Sequence, residues 1–338
     1  MKAIVRYAYG STDVLRLAEV ERPHPQAGQV LVRVHAAGID RGVLHFLTGH
    51  PYPLRLAGTG IRTPKSPFLG RELAGVVEEL GDGVTGLSRG DEVFGIGEGT
   101  FAEYACAPAE KLVPRPTGLT FAQAAALPVS GLTALQGLRD HGGVEAGQRV
   151  LITGASGGVG SFAVQLAWSY GAEVTGVCRT AKADLVRRLG ADHVIDHTRE
   201  DFADGKHTYD VILDLAGNPS LGRLRRALTP TGTAVIGGGE TSGRVLSGFD
   251  RQLRALCVDR FVKQRLKTYI CRENRRDLVV LKGLAEAGRL TPAVDRTHPL
   301  AETADALRAL ERGEVRGKRV VVMPGAGPDG QAASRPDA

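Results

Sequence analysis

Residues 150–160, Val-Leu-Ile-Thr-Gly-Ala-Ser-Gly-Gly-Val-Gly, decide how this chain folds. An apolar run ends in a glycine cluster and passes at once into a helical pattern, Ser161-Phe162-Ala163-Val164-Gln165-Leu166-Ala167. The reading is strand, tight turn and helix N-terminus. The first-turn N–H groups of such a helix lack intrahelical partners, and its dipole favours negative charge there, so the turn is an anion site. Ala155, Gly157 and Gly160 stand at the three glycine positions of the dinucleotide fingerprint, with Ser156, Gly158 and Val159 between them. Gly157 lets a pyrophosphate approach the backbone, and Gly160 lets the helix pack closely on its strand. A glycine turn by itself is a weak signal, and a purely structural turn is the alternative. Here a second strand, Glu173-Val174-Thr175-Gly176-Val177, follows on schedule.

The end of that second strand selects the dinucleotide. A carboxylate there would bond the ribose hydroxyls of NAD, whereas a basic group suits the 2′-phosphate of NADP. The strand ends in Cys178-Arg179-Thr180-Ala181-Lys182, and no acid appears before Asp184. Arg179 offers a planar fork, Thr180 a donor and Lys182 a point charge. NADPH is the expected cofactor; a solvated basic loop is the competing reading.

Composition bounds the rest. A chain of 338 residues has room for two domains. The formal charge of +6 would admit a nucleic-acid partner, but the basic residues are dispersed and aromatics make up 5%, too few for stacking platforms. Cys106, Cys178, Cys257 and Cys271 are far apart, so neither a disulfide framework nor a zinc knuckle is expected. No leader pattern precedes the strand at Lys2–Arg6 and no apolar run spans a bilayer, so a cytoplasmic protein without a membrane partner is expected.

Residues 1–120 read as short strands between Gly-Asp and proline punctuation, including Gln29–Ala36, Ala74–Leu80 and Asp91–Gly95, as in a small β-barrel-like domain. From Thr120 the pattern turns helical. Strands then alternate with helices at 150–152, 173–177, 193–195, 211–213 and 234–236, which predicts an α/β, doubly wound parallel sheet. A helix over Asp277–Ala287 and a strand at Arg319–Val322 follow. The expected domains are 1–122 with 268–324, and 123–267 for the dinucleotide; the Gly/Ala/Pro-rich tail 325–338 is expected to be disordered.

This order resembles the medium-chain dehydrogenase/reductase superfamily from Met1 to about Pro324. The motifs that carry the resemblance are Ala36-Ala37-Gly38-Ile39-Asp40, Gly70-Arg71-Glu72-Leu73-Ala74-Gly75-Val76-Val77, Gly90-Asp91-Glu92-Val93-Phe94-Gly95, the fingerprint, Leu189-Gly190-Ala191-Asp192-His193-Val194-Ile195-Asp196 and Gly317-Lys318. Within it the chain looks most like the zinc-free quinone oxidoreductase branch, which includes enoyl-thioester and alkenal reductases. The resemblance implies a GroES-like β-barrel catalytic domain and a Rossmann cofactor domain. In the zinc alcohol dehydrogenases a Cys stands where Ile39-Asp40 stands here and a His where Arg71 stands. An arginine cannot lose its proton to become a ligand, and the thiol-rich lobe is missing, so no metal is expected.

Without a Lewis acid, conjugate reduction remains: hydride delivered to the β-carbon of an enone, enoyl thioester or quinone. The resemblance places Asp40 where relatives carry an Asn near the nicotinamide, and His45 and Tyr52 near two Tyr positions of the cleft. Tyr52 is the expected oxyanion donor, its phenol being protonated at working pH; cleft packing is its alternative, and His45 could be only a solvated loop histidine. By the same resemblance Val129 and Thr133 lie beneath the nicotinamide, and His197 falls on the 2′-phosphate side. Leu215-Ala216-Gly217 and Gly237-Gly238-Gly239 end two parallel strands, where open sheets bind ligands, and their small side chains permit close approach. Lys318 reads as a solvated lysine at a strand start.

Two apolar–basic stretches, Leu54–Lys65 and Gln252–Lys267, could border a cleft mouth suited to a phosphorylated carrier, or could be solvated faces. Three classes of function follow: a general reductase of quinones or α,β-unsaturated carbonyls, a dedicated enoyl reductase acting on one pathway intermediate, and a non-catalytic NADPH-binding protein. The strand at Ala234-Val235-Ile236 is expected at or near the sheet edge, where pairing across a two-fold axis would give a homodimer; a monomer is the alternative.

Overall fold

Short strands broken by glycines build the first part of the chain. β1 (Lys2–Val5) pairs antiparallel with β2 (Arg16–Glu19) in a two-stranded ribbon. β3 (Gln29–Ile39) is buried along nearly its whole length because it is paired on both sides. α1 (Arg41–Thr48) and the single turn α2 (Tyr52–Leu54) follow it. β4 (Glu72–Leu80), β5 (Glu92–Ile96), β6 (Tyr104–Pro108) and β7 (Leu112–Pro114) complete the antiparallel part. α3 (Phe121–Ala125) opens on a capping box: the Gln123 N–H donates to Thr120 Oγ1 and the Thr120 N–H to Gln123 Oε1. The structure is a computed structural model and describes residues 1–238 and 249–325.

α4 (Pro128–Gln136) leads into the parallel strands. β8 (Arg149–Thr153) runs into α5 (Gly158–Ser169), whose residues Gly160–Ala167 are all buried, as expected of a helix apolar on every side. Then come β9 (Glu173–Cys178), α6 (Ala183–Arg188), β10 (His193–Asp196), β11 (Tyr209–Asp214), α7 (Leu221–Ala227), β12 (Leu228–Ile236), α8 (Phe249–Asp259) and β13 (Arg265–Thr268). The six strands lie in the order β10-β9-β8-β11-β12-β13, every pair parallel. This is the doubly wound dinucleotide order, and it reverses between β8 and β11, where ligands bind.

α9 (Arg275–Glu286), β14 (Val294–Pro299), α10 (Thr303–Glu311) and β15 (Lys318–Val322) return the chain to the first sheet, whose order is β14-β15-β3-β4-β5-β7 with β6 also on β3, antiparallel except for the parallel pair β14-β15. Its core holds Val32, Leu47, Leu73, Phe101 and Val321, among others.

Two compact units result, Met1–Val129 with Glu273 onward, and Ser130–Arg272. The boundaries lie a few residues beyond the expected 122/123 and 267/268, for identifiable reasons. α3 packs on β3 and β4, keeping Phe121–Ala125 with the first unit. The Tyr269 hydroxyl donates to the Thr133 carbonyl at 2.6 Å, and the Gln136 side chain bonds the Arg272 backbone at 2.8 and 2.9 Å, holding 269–272 in the second. β12, expected at or near the edge, is one strand in from it, because β13 pairs with Thr233–Ile236. Residues 326–338 of the expected disordered tail lie outside the described residues.

Candidate active site

The turn after β8 is built around close backbone approaches. Gly154 takes φ +65°, and a Cβ there would sit 2.8 Å from Ala216 Cβ. A Cβ on Gly160 would lie 2.2 Å from the Gly154 carbonyl oxygen, so only glycine fits where α5 meets the turn. The first fingerprint position, Ala155, does not make the tight turn; Gly154 does, while Ala155 is buried and donates its N–H to Val177 at 3.1 Å. Gly157 is the extended N-cap of α5, and no side chain caps this N-terminus. Ser156 is buried, and Gly158 and Val159 are half-buried in the first turn. Uncapped donors and small residues fit the pyrophosphate of a nicotinamide dinucleotide.

A polar clasp that the sequence did not reveal holds the switch point. Thr153 Oγ1 donates to Asp214 Oδ1 at 2.8 Å and accepts the N–H groups of Leu215 at 2.8 Å and Ala216 at 3.1 Å. The other oxygen of the fully buried Asp214 pairs with Arg251 of α8, whose Nη1 also reaches Asn218 Oδ1 at 3.2 Å. Burial brings the Arg251 guanidinium down to about 10. The N–H groups of Gly237 and Gly238 both donate to the Asp214 carbonyl at 3.0 Å, which draws the ends of β11 and β12 together. Ala216 and Gly217 are exposed at that rim and Leu215 is half-buried; Gly239 lies outside the described residues. The only signal for the clasp was Asp214 at a strand end. Its partner lies 37 positions on.

At the end of β9, Arg179 and Thr180 are exposed and Lys182 is half-buried. Cys178 is buried, and desolvation pushes its thiol up. An acid does stand here: Asp196 of β10 is in register with Cys178. It accepts from Thr180 Oγ1, and from the Thr198 hydroxyl and N–H at 2.7 and 3.0 Å. Those bonds, that from Thr180 foremost, hold the carboxyl at about 2 and engage the hydroxyl that sequence reading reserved for phosphate. His197 is exposed and joins Cys178 only through its backbone N–H at 3.2 Å. The Thr133 carbonyl takes the Tyr269 hydroxyl, whose pKa burial raises.

In the first unit, β3, β4 and β15 bring Asp40, Glu72 and Lys318 to one end of the sheet: Gly38 is opposite Val320, and Ala36 opposite Ala74. Lys318 was expected to be solvated; it is 1% exposed and pairs with Glu72, which is fully buried. Burial pushes the Glu72 carboxyl up to about 7, against the pull of Lys318 and of the Val129 N–H, which donates to it at 2.8 Å. Asp40 precedes α1 without capping it, and its buried Oδ2 has no hydrogen-bond partner.

These residues do not fit a zinc ion. Arg71 pairs with Glu273, which also holds Lys111 at 2.9 Å, and the Glu72 carboxylate carries an ammonium. Among the described residues, no group of three or more His, Cys, Asp and Glu side chains is arranged to hold a metal. No helix among them is long and apolar enough to cross a membrane.

Tyr52 is 41% exposed, its ring edge-on to His50 at 5.1 Å and beneath the Arg55 guanidinium at 5.0 Å. His45 Nδ1 is 2.9 Å from the His50 carbonyl oxygen, so His45 braces the loop that carries Tyr52. In the basic stretch 252–267, Arg254 pairs with Asp250 and the Lys267 amine donates to the His141 carbonyl at 2.8 Å.

Residues 26–117 match the alcohol dehydrogenase GroES-like domain, and residues 189–321 the zinc-binding dehydrogenase family. The mitochondrial NAD(P)H oxidoreductase RTN4IP1 of Mus musculus is 32% identical over 359 residues, covering 95% of this chain and 89% of that protein. The 2-methylene-furan-3-one reductase of Solanum lycopersicum is 33% identical over 336 residues, covering 95% and 79%. The solved quinone oxidoreductase of Coxiella burnetii superposes with a TM-score of 0.82 at 31% identity, covering 95% of this chain and 99% of that one.

Proposed function

The chain belongs to the medium-chain dehydrogenase/reductase superfamily and is an oxidoreductase, and from that premise we propose that it is an NADPH-dependent, zinc-independent reductase of quinones and α,β-unsaturated carbonyls. One observation carries the reading: Arg71, paired with Glu273, stands where the zinc enzymes carry a His ligand, and Glu72 beside it carries Lys318. A site without a Lewis acid lacks the metal activator that the zinc enzymes bring to an alkoxide. It can still reduce an acceptor whose product anion is delocalised.

The uncapped first turn of α5 receives the pyrophosphate, and Arg179 with Lys182 receives the 2′-phosphate. Asp196 is spent on Thr180 and Thr198, which leaves the arginine to set the preference for NADPH. When bound, the nicotinamide supplies a hydride to the electrophilic carbon of the substrate. The Tyr52 phenol donates to the substrate oxygen as charge develops on it. Asp40, buried with a free acceptor oxygen, orients a donor on the ligand. The ligand partner is an electrophilic small molecule, and we place a homodimer contact on the edge strand β13.

Stopped-flow NADPH oxidation against a panel of quinones, enones and enoyl thioesters tests the reading. Turnover is expected with quinones and enones and absent with simple primary alcohols run in reverse. Alcohol oxidation without enone reduction would overturn it.

A further inference from the structure

Arg6 directly follows β1 and is buried, 3% exposed. Buried charges are ordinarily paired. Yet among the described residues no carboxylate pairs with Arg6, and its Nε and Nη1 have no hydrogen-bond acceptor. Desolvation pulls its pKa down, and Tyr9 offsets only part of that pull. Its guanidinium carbon lies 5.2 Å from the centre of the Tyr9 ring.

A second cation shares that ring. Arg55 stands 4.2 Å from the Tyr9 centroid and 5.0 Å from that of Tyr52. Its Nε donates to the Gly49 carbonyl at 2.9 Å and its Nη2 to the Thr48 carbonyl at 3.1 Å, so its fork is locked by neutral acceptors. The stack is a built feature. The Tyr9 hydroxyl lies 2.7 and 2.8 Å from the Gly60 and Thr59 carbonyl oxygens and donates to one or the other, which fixes the ring. Gly49 sits at φ +65°, and a Cβ there would lie 2.6 Å from Arg55 Nε and 2.7 Å from Tyr9 Cδ1. Only glycine lets α1 end against this stack.

Two fixed guanidinium groups on one ring, neither paired with a carboxylate among the described residues and one with buried donors unspent, describe an anion site. We propose that Arg6 and Arg55, beside Tyr52, form a subsite for a carboxylate or phosphate carried by the substrate. The planar forks match the oxygens of either group, and the aromatic rings wall the apolar part. The proposal rests on the reductase reading for the rest of the substrate.

The test compares uncharged and anionic forms of one electrophile: 4-phenyl-3-buten-2-one against its 4-carboxyphenyl analogue, and the crotonyl thioester of N-acetylcysteamine against crotonyl-coenzyme A. In the wild type, kcat/KM for at least one anionic form should exceed its neutral partner by about tenfold or more, the scale of one charge-assisted contact. In Arg6→Met that ratio should collapse toward one, and Arg6→Lys should recover part of it. The pair that responds identifies carboxylate or phosphate as the anion. Thermal shift with benzoate and benzamide reads the same subsite without turnover: benzoate alone should stabilise the wild type if the anion is a carboxylate, as inorganic phosphate should if it is a phosphate, and neither should stabilise Arg6→Met beyond benzamide. Arg6→Met should also keep its melting temperature, because a buried unpaired charge contributes no stability. A ratio unchanged by Arg6→Met for both pairs, or a wild type indifferent to charge, overturns the proposal. Absence of turnover with every probe would sink the reductase reading instead, and anion-dependent stabilisation would still decide the subsite.

Discussion

Lys318→Met should turn the stability of the first unit into a function of pH. The pair it breaks has side-chain exposures of 1% and 0%, and removing one partner of such a pair costs about 3–5 kcal/mol because it strands a charge. The stranded group is Glu72, whose folded pKa already lies near 7, above its unfolded value, with burial as the largest cause. Losing the ammonium pushes it higher still. A carboxyl whose folded pKa is raised contributes its full stability below the unfolded value, about 4.3, and loses it as pH climbs through the folded one. The variant should therefore lose least near pH 5, where protonation of Glu72 leaves it no stranded charge. Near pH 8 it should melt about 10 °C lower, given roughly 2–4 °C per kcal/mol for a unit of this size. Calorimetry of the full chain at the two pH values measures this, and Glu72→Gln added to Lys318→Met should restore most of the loss. An equal fall at both pH values, or none at pH 8, would refute the reasoning.

Three further outcomes are expected. Replacing Arg179 and Lys182 with Ala should weaken NADPH binding by about 2–4 kcal/mol and leave NADH nearly unchanged, as equilibrium fluorescence titration would show; tighter wild-type binding of NADH would contradict it. Tyr52→Phe should slow single-turnover hydride transfer to an enone ~10²–10³-fold without altering NADPH affinity, and quinones should feel it least because their reduced product is aromatic. Elemental analysis of the purified protein should find substoichiometric zinc, and chelators should leave its reductase activity intact.

Much of the fold was legible because it rests on local pattern. The apolar runs at 150–152, 173–177 and 211–213 each became a parallel strand, and the glycine cluster after the first became the turn into α5. The contacts that complete the site were not legible, since they join residues far apart in sequence. Lys318 opens an ordinary strand, and nothing near it announces Glu72, 246 positions away. Asp196 was overlooked beside Arg179 because it arrives from the neighbouring strand, and only the parallel register sets it next to Cys178. Gly154 and Ala155 show a subtler limit: the motif counted glycines, whereas the backbone needed a positive φ one residue earlier.

Asp214 is tied to two elements at once. Its carbonyl oxygen holds the N–H groups of Gly237 and Gly238, and its carboxylate holds Arg251. Backbone and side chain of one residue therefore hold two different elements. The spacing of three elements, β11, β12 and α8, thus hangs on a single side chain and its own carbonyl, so a change at position 214 reaches all three at once and with them the end of the sheet where the dinucleotide cradle lies.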